Sequence, residues 1–133
     1  MRIHETEIRV RYKETDNMGV VYYSNYFVWF EVARTEYLRA LGVSYRKIEE
    51  KGGLYLVVAQ AGCRYIYPAR YDDIVRVESW IPEIKNSSLR FEYKLFIGKK
   101  PIAAGETVHV FTDKSGRPKR IPQELKETLT ASR

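Results

Sequence analysis

Between residues 14 and 26 the chain reads Glu14-Thr15-Asp16-Asn17-Met18-Gly19-Val20-Val21-Tyr22-Tyr23-Ser24-Asn25-Tyr26. One carboxylate, Asp16, stands in turn-forming chemistry a few residues before a helical pattern begins. The first amides of a helix lack intrahelical partners and carry the positive end of its dipole. A carbonyl oxygen resting there is polarised, as in an oxyanion hole. A carboxylate facing that carbonyl could attack it or activate water to do so. Gly19 and the small Ser24 would let the backbone approach a ligand closely. The competing reading is structural, since Asp is common in turns and Asp16 could simply close the one before the helix.

Such a pair needs a strand before the loop and a helix after it. Ile3 to Tyr12 alternates, with Ile8, Val10 and Tyr12 on one side and Glu7, Arg9 and Arg11 on the other, as a half-buried strand does. Lys13 to Gly19 is turn chemistry. From there the period changes: Tyr26, Phe30, Ala33, Tyr37 and Leu41 form an apolar stripe at helical spacing, widened by Trp29 and Leu38. This predicts a helix over Ser24–Leu41, with Ser24 as N-cap, Tyr23 stapled to Val28 and Gly42 closing the end. A short helix is expected over Ser44–Lys51, before Gly52-Gly53. Strands follow: Leu54–Tyr67 up to Pro68, Ile74–Ile81 up to Pro82, Leu89–Ile97, and Ile102–Thr112 after a Gly98–Pro101 loop. Pro122–Ala131 suits a short terminal helix. Consecutive strands with short loops read as an antiparallel meander whose apolar face needs a cover, and only the long helix is large enough. The expected fold is therefore α+β, an antiparallel sheet of about five strands wrapped around one central helix.

The chain has 133 residues, which predicts one domain over 1–133 on a prior of ~150 residues per domain. With 44% hydrophobic, 14% aromatic and 30% charged residues, a disordered or collagen-like chain is excluded. The longest run without a charge, Asn17–Phe30, has 14 residues, short of the ~18 needed to span a bilayer as a helix. The charged N-terminus is unlike a secretory signal. A single cysteine, Cys63, makes no internal disulfide, and a reducing cytoplasm is the expected location. The net charge of +6 favours anionic partners, but acids and bases are mixed along the chain.

At this point the sequence resembles a known family. Asp16, Met18 to Tyr26, Trp29-Phe30-Glu31 and Arg34 are similar to the active-site signature of hotdog-fold acyl-CoA thioesterases. The group resembled is that of 4-hydroxybenzoyl-CoA thioesterase and the Tol–Pal-associated thioesterases. Tyr67-Pro68-Ala69-Arg70-Tyr71-Asp72-Asp73, and Gly116-Arg117-Pro118 with Arg120-Ile121-Pro122, carry the likeness across nearly the whole chain. The resemblance implies hydrolysis of an acyl-CoA thioester, with Asp16 as nucleophile or general base and the Tyr23 amide holding the thioester oxygen. It implies further substrate contacts at Gly19, Tyr22, Ser24, Lys85, Ser87, Ser88 and Arg90. It also implies no metal or bound cofactor, and a site between two subunits whose sheets join edge to edge, dimers commonly pairing into tetramers.

Two departures stand out. The Tol–Pal-associated group usually has histidine where this chain has Tyr23. The loop expected to meet the CoA phosphates, Lys85-Asn86-Ser87-Ser88, keeps one charge, so the grip could come instead from Arg90 or from Lys114, Arg117, Lys119 and Arg120. Cys63 lies in an apolar strand and reads as core. His4 and His109 sit in strands without ligand-like neighbours, which argues against a metal site. A dehydratase would need a histidine beside Asp16 and finds none. A non-catalytic acyl-CoA or acyl-carrier-protein binding module would bind without releasing thiol. Nucleic-acid binding lacks clustered base-reading side chains and is not expected.

Overall fold

The computed structural model describes residues 2–131. Five strands, β1 (His4–Arg9), β2 (Tyr55–Tyr65), β3 (Ile74–Ile84), β4 (Ser88–Ile97) and β5 (Lys100–Thr112), form one antiparallel sheet in the order β1-β3-β4-β5-β2. Three helices accompany it: α1 (Asn25–Ala40), α2 (Tyr45–Gly52) and α3 (Gln123–Ala131).

The predicted stripe buries α1 against the sheet. Tyr26, Trp29, Phe30, Ala33, Tyr37 and Leu38 are all buried. Phe30 stacks on Tyr93 with ring centroids 4.2 Å apart, and Tyr37 meets Phe91 edge-on at 5.4 Å. Gly105 makes this contact possible, since a Cβ there would lie 2.5 Å from Phe30 Cζ. The strands turn Val75, Val77, Phe91, Leu95 and Ile102 inward, so period two is obeyed wherever the helix covers the sheet.

Several expectations are corrected. Only β3, β4 and β5 form a meander, because β2 pairs with β5 at the edge and β1 takes the place beside β3. Period two tells which face a residue occupies but not which strand lies alongside. The chain reaches β3 from β2 by crossing the end of the sheet through residues 66–73. Pro82 does not stop β3, which continues to Ile84 with a register shift between Trp80 and Glu83 where the residue without an N–H is accommodated. The first strand ends at Arg9, and Tyr12 opens a single 3-10 turn (Tyr12–Glu14) with its ring exposed. Ser24 makes no side-chain cap, because its backbone is already helical at φ −67°, ψ −21°. Tyr23 and Val28 are both exposed, and the Tyr23 ring packs near Tyr22 and Tyr65 instead.

Candidate active site

Asp16 sits in a tight loop stitched to the crossing segment. Thr15 bridges Val21, Val20 bridges Arg70, and the Val21 amide donates to the Ala69 carbonyl at 2.8 Å. Gly19 turns the loop at φ +77°, a region that glycine enters without strain. Asp16 Oδ1 accepts from the Met18 amide at 2.8 Å and from the Val20 amide at 3.4 Å. Among the described residues its other oxygen accepts no bond and pairs with no Lys or Arg. One oxygen aims the carboxylate while the second stays available.

Glu14 holds this loop to the helix. It is 3% exposed. Its carboxylate accepts from the Arg11 amide at 2.8 Å and from Trp29 Nε1 at 3.0 Å. Its carbonyl accepts from the Tyr22 amide at 2.8 Å and from Asn25 Nδ2 at 2.9 Å. Burial works against ionisation, yet the hydrogen bonds from Arg11 and Trp29 outweigh it and hold the carboxyl below its ordinary range.

The entry to α1 is tightened by short-range bonds: the Asn25, Tyr26 and Phe27 amides donate to the Tyr22, Tyr23 and Ser24 carbonyls at 3.0, 3.3 and 3.2 Å. The Tyr23 and Ser24 amides have no acceptor among the described residues. Tyr23 lines a cleft of about 360 Å³ whose walls also include Asp16, Tyr22, Tyr26, Tyr65 and Tyr67, and Ser24 follows it in sequence. The Tyr22 phenol is pushed up, first by its hydrogen bond with Tyr23 and less by the Asp16 charge. Asp16 and Tyr23, whose amide is unpartnered, thus share one aromatic-lined cleft. That arrangement suits acyl transfer from a carbonyl. A larger groove of about 570 Å³ lies at the other end of α1, beside Leu41, Val43, Ile48 and Leu125.

Of the residues predicted from sequence, Asp16, Gly19, Tyr22, Tyr23 and Ser24 come together. Lys85, Ser87, Ser88 and Arg90 do not join them within one chain. They follow the far end of β3, whose 11 residues at ~3.3 Å each put the β3–β4 turn roughly 30 Å from the Asp16 loop. The basic tail is at that same far end: the Phe111 amide donates to the Ser87 carbonyl at 2.8 Å, and the Ile121 amide to the Asn86 carbonyl at 2.8 Å. Lys85 lies 3.6 Å from Glu83 and Lys119 3.8 Å from Asp113, both loosely held. Arg90 pairs with Glu92 at 3.0 Å on the outer sheet face.

Burial pushes the half-buried Cys63 thiol up, which makes it a poor nucleophile. His109 is fully buried, with Nε2 2.8 Å from Thr107 Oγ1, and burial together with the Arg34 charge pushes it down to about 3. Sequence reasoning missed Glu14, Asn25 and Tyr65. Their partners lie 11 to 42 residues away, and no local periodicity signals such bonds.

The family model of the Thioesterase-like superfamily matches residues 10–129. The acyl-CoA thioesterase YbgC of Haemophilus influenzae is 36% identical over 121 residues, 90% of this chain and 88% of that protein. The crystal structure of DHNA-CoA thioesterase from Staphylococcus aureus superposes with a TM-score of 0.93 at 32% identity, covering 98% of this chain and 91% of that one. The structure of 4-hydroxybenzoyl-CoA thioesterase superposes with a TM-score of 0.88 at 20% identity, over 97% and 99% of the two chains, and shares the fold. The sheet wrapped on α1 is thus the expected hotdog fold, and by sequence and structure alike the chain belongs to the Thioesterase-like superfamily.

Proposed function

We propose that this thioester hydrolase cleaves acyl-CoA at the cleft between Asp16 and the N-terminus of α1. The thioester oxygen rests on the Tyr23 amide, with the Ser24 amide beside it, and the helix dipole favours the charge that develops there. The free oxygen of Asp16 attacks the carbonyl carbon or draws the proton from an attacking water. The C–S bond then breaks, CoA leaves as the thiol, and water supplies the atoms of the free acid. Tyr22, Gly19 and Ser24 line the approach. The observation that carries this reading is that Asp16, with one carboxylate oxygen unengaged, and Tyr23, with its amide unpartnered, line one cleft.

The separation of the basic turn from Asp16 supports a dimer. β2 is an edge strand with Val57 and Val58 exposed on opposite faces. Pairing two β2 strands antiparallel sets the Tyr55 end of one beside the Tyr65 end of the other. Tyr55 neighbours Thr112, and Ser88 neighbours Val110. The second copy's Lys85–Ser88 turn and basic tail are thereby brought toward the first copy's Asp16, where they meet the CoA phosphates. Each site is then built from two chains, and the whole of 1–133 acts as one domain. A cytoplasmic location suits the lone Cys63 thiol.

Release of CoA thiol over a panel of short, long and aromatic acyl-CoA substrates tests the assignment. Asp16→Asn should lower kcat by about 10²–10⁴, with the thermal midpoint and oligomeric state retained. Native turnover in that variant removes Asp16 from the mechanism.

A further inference from the structure

Tyr65, the last residue of β2, reaches across the cleft to the entry of α1. Its hydroxyl donates to the Tyr23 carbonyl at 2.9 Å. Its ring stands edge-on to Tyr26, with centroids 4.9 Å apart at 85°, and to Tyr23 at 6.4 Å and 88°. The Tyr23 carbonyl belongs to the peptide whose N–H is that of Ser24. Within α1 this carbonyl receives only the long 3.3 Å bond from the Tyr26 amide, and Ser24 contributes no side-chain cap. Tyr65 is therefore the strongest tie on that peptide plane.

The other side of the pair is tied as well. The Tyr22 amide donates to the Glu14 carbonyl at 2.8 Å, and the Tyr22 carbonyl accepts from the Asn25 amide at 3.0 Å. Glu14 and Asn25 thus fix the peptides leading into the Tyr23 amide, and Tyr65 fixes the peptide leading out of it. Donation into a peptide carbonyl also polarises the N–H of the same peptide, so the Ser24 amide becomes a better donor. The phenol stays neutral through the working pH range, because burial and the neighbouring Cys63 push it above its ordinary value.

We propose that Tyr65 is a positioning residue that aims and polarises the amides receiving the thioester oxygen. This rests on the reaction assigned above. It assigns Tyr65 a task in the rate of the chemical step, separate from its part in the cleft wall. Losing one oxyanion donor outright costs about 10²–10³ in kcat, and loss of aim costs a fraction of that.

Tyr65→Phe keeps the ring and both edge contacts and removes the hydroxyl alone. With the acyl-CoA that the wild type turns over fastest, kcat should fall about tenfold while KM changes less than about twofold. The second readout is spectroscopic. A non-hydrolysable ketone analogue, with methylene in place of the thioester sulfur and ¹³C at the carbonyl, should show a carbonyl stretch shifted to lower frequency on the wild type and shifted less on Tyr65→Phe. A variant with wild-type kcat, or with an unchanged carbonyl shift, overturns the proposal. So does a loss that appears only as a raised KM, since that marks a cleft wall and nothing more. Should the wild type release no thiol from any acyl-CoA, the parent reaction fails instead. Should Tyr65→Phe unfold, 3-fluorotyrosine in place of Tyr65, nearly the same size but a stronger hydroxyl donor, carries the comparison: its carbonyl shift should exceed the wild-type shift, and an equal shift overturns the proposal.

Discussion

Replacing Glu14 by Ala removes the carboxylate that joins the Asp16 loop to α1. Two donors lose their acceptor: Trp29 Nε1, buried, at 3.0 Å, and the part-buried Arg11 amide at 2.8 Å. A buried unsatisfied donor costs about 1–3 kcal/mol and a part-buried one less, so the pair costs about 3 kcal/mol. Unfolding entropy of ~2.1 cal/mol/K per residue over a chain of this length is about 0.28 kcal/mol/K, which converts that loss to a drop of roughly 11 °C in Tm. Glu14→Gln keeps one acceptor oxygen and turns an NH₂ toward the other donor, so it should lie between Ala and wild type. Melts followed by circular dichroism, at one protein concentration to hold association constant, measure the difference. Activity should fall as well, about tenfold in kcat, because the loop bearing Asp16 loses its anchor. A drop of under about 4 °C for Glu14→Ala, with turnover intact, refutes the view that this carboxylate organises the site.

Gly105→Ala should destabilise by about 1–3 kcal/mol. The new Cβ would meet Phe30 at 2.5–2.6 Å and the Gly62 carbonyl at 2.7 Å, and Phe30 is itself fully buried and packed on Tyr93 and Phe27. A chemical denaturation curve unchanged from wild type would contradict this packing. Acid should weaken the fold in two stages. His109 has its folded pKa pushed from 6.5 to about 3, so the unfolded chain binds the extra proton between those values. Stability is full above pH 6.5 and declines as pH falls toward 3, with a slope approaching ~1.4 kcal/mol per pH unit. Glu14, whose carboxyl is held low, adds stability present above the ordinary carboxylate range and lost on further acidification. His109→Gln should flatten the first stage in a pH series of urea melts, and an unaltered series would show that this imidazole is not what titrates.

Much of the site was legible because its signals are local. The stripe from Tyr26 to Leu38 located α1, and the turn residues from Lys13 to Gly19 located the loop that carries Asp16. What escaped was the set of contacts between distant segments. Tyr65 and Glu14 act on the helix entry through bonds to Tyr23 and Trp29, and neither bond leaves a period in the sequence. A long apolar, β-rich run marked β2 as a strand but could not put it at the sheet edge, so its distance from β3 went unseen. Ser24 looked like a cap by residue type, while the backbone it occupies had already entered the helix. The Lys85 turn was grouped with Asp16 by resemblance, and only the sheet's length revealed that one chain holds them at opposite ends.

The position of β2 also bears on how the protein survives before it meets a second copy. From Val57 to Ala61 the strand offers five successive uncharged, proline-free residues, all exposed, along an open edge. Such an edge is a template for indiscriminate strand addition, and thus for aggregation. The bulge between Val58 and Gln60 interrupts its regularity and blunts this tendency. At low abundance, just after synthesis, that kink stands between a newborn chain and the wrong neighbour.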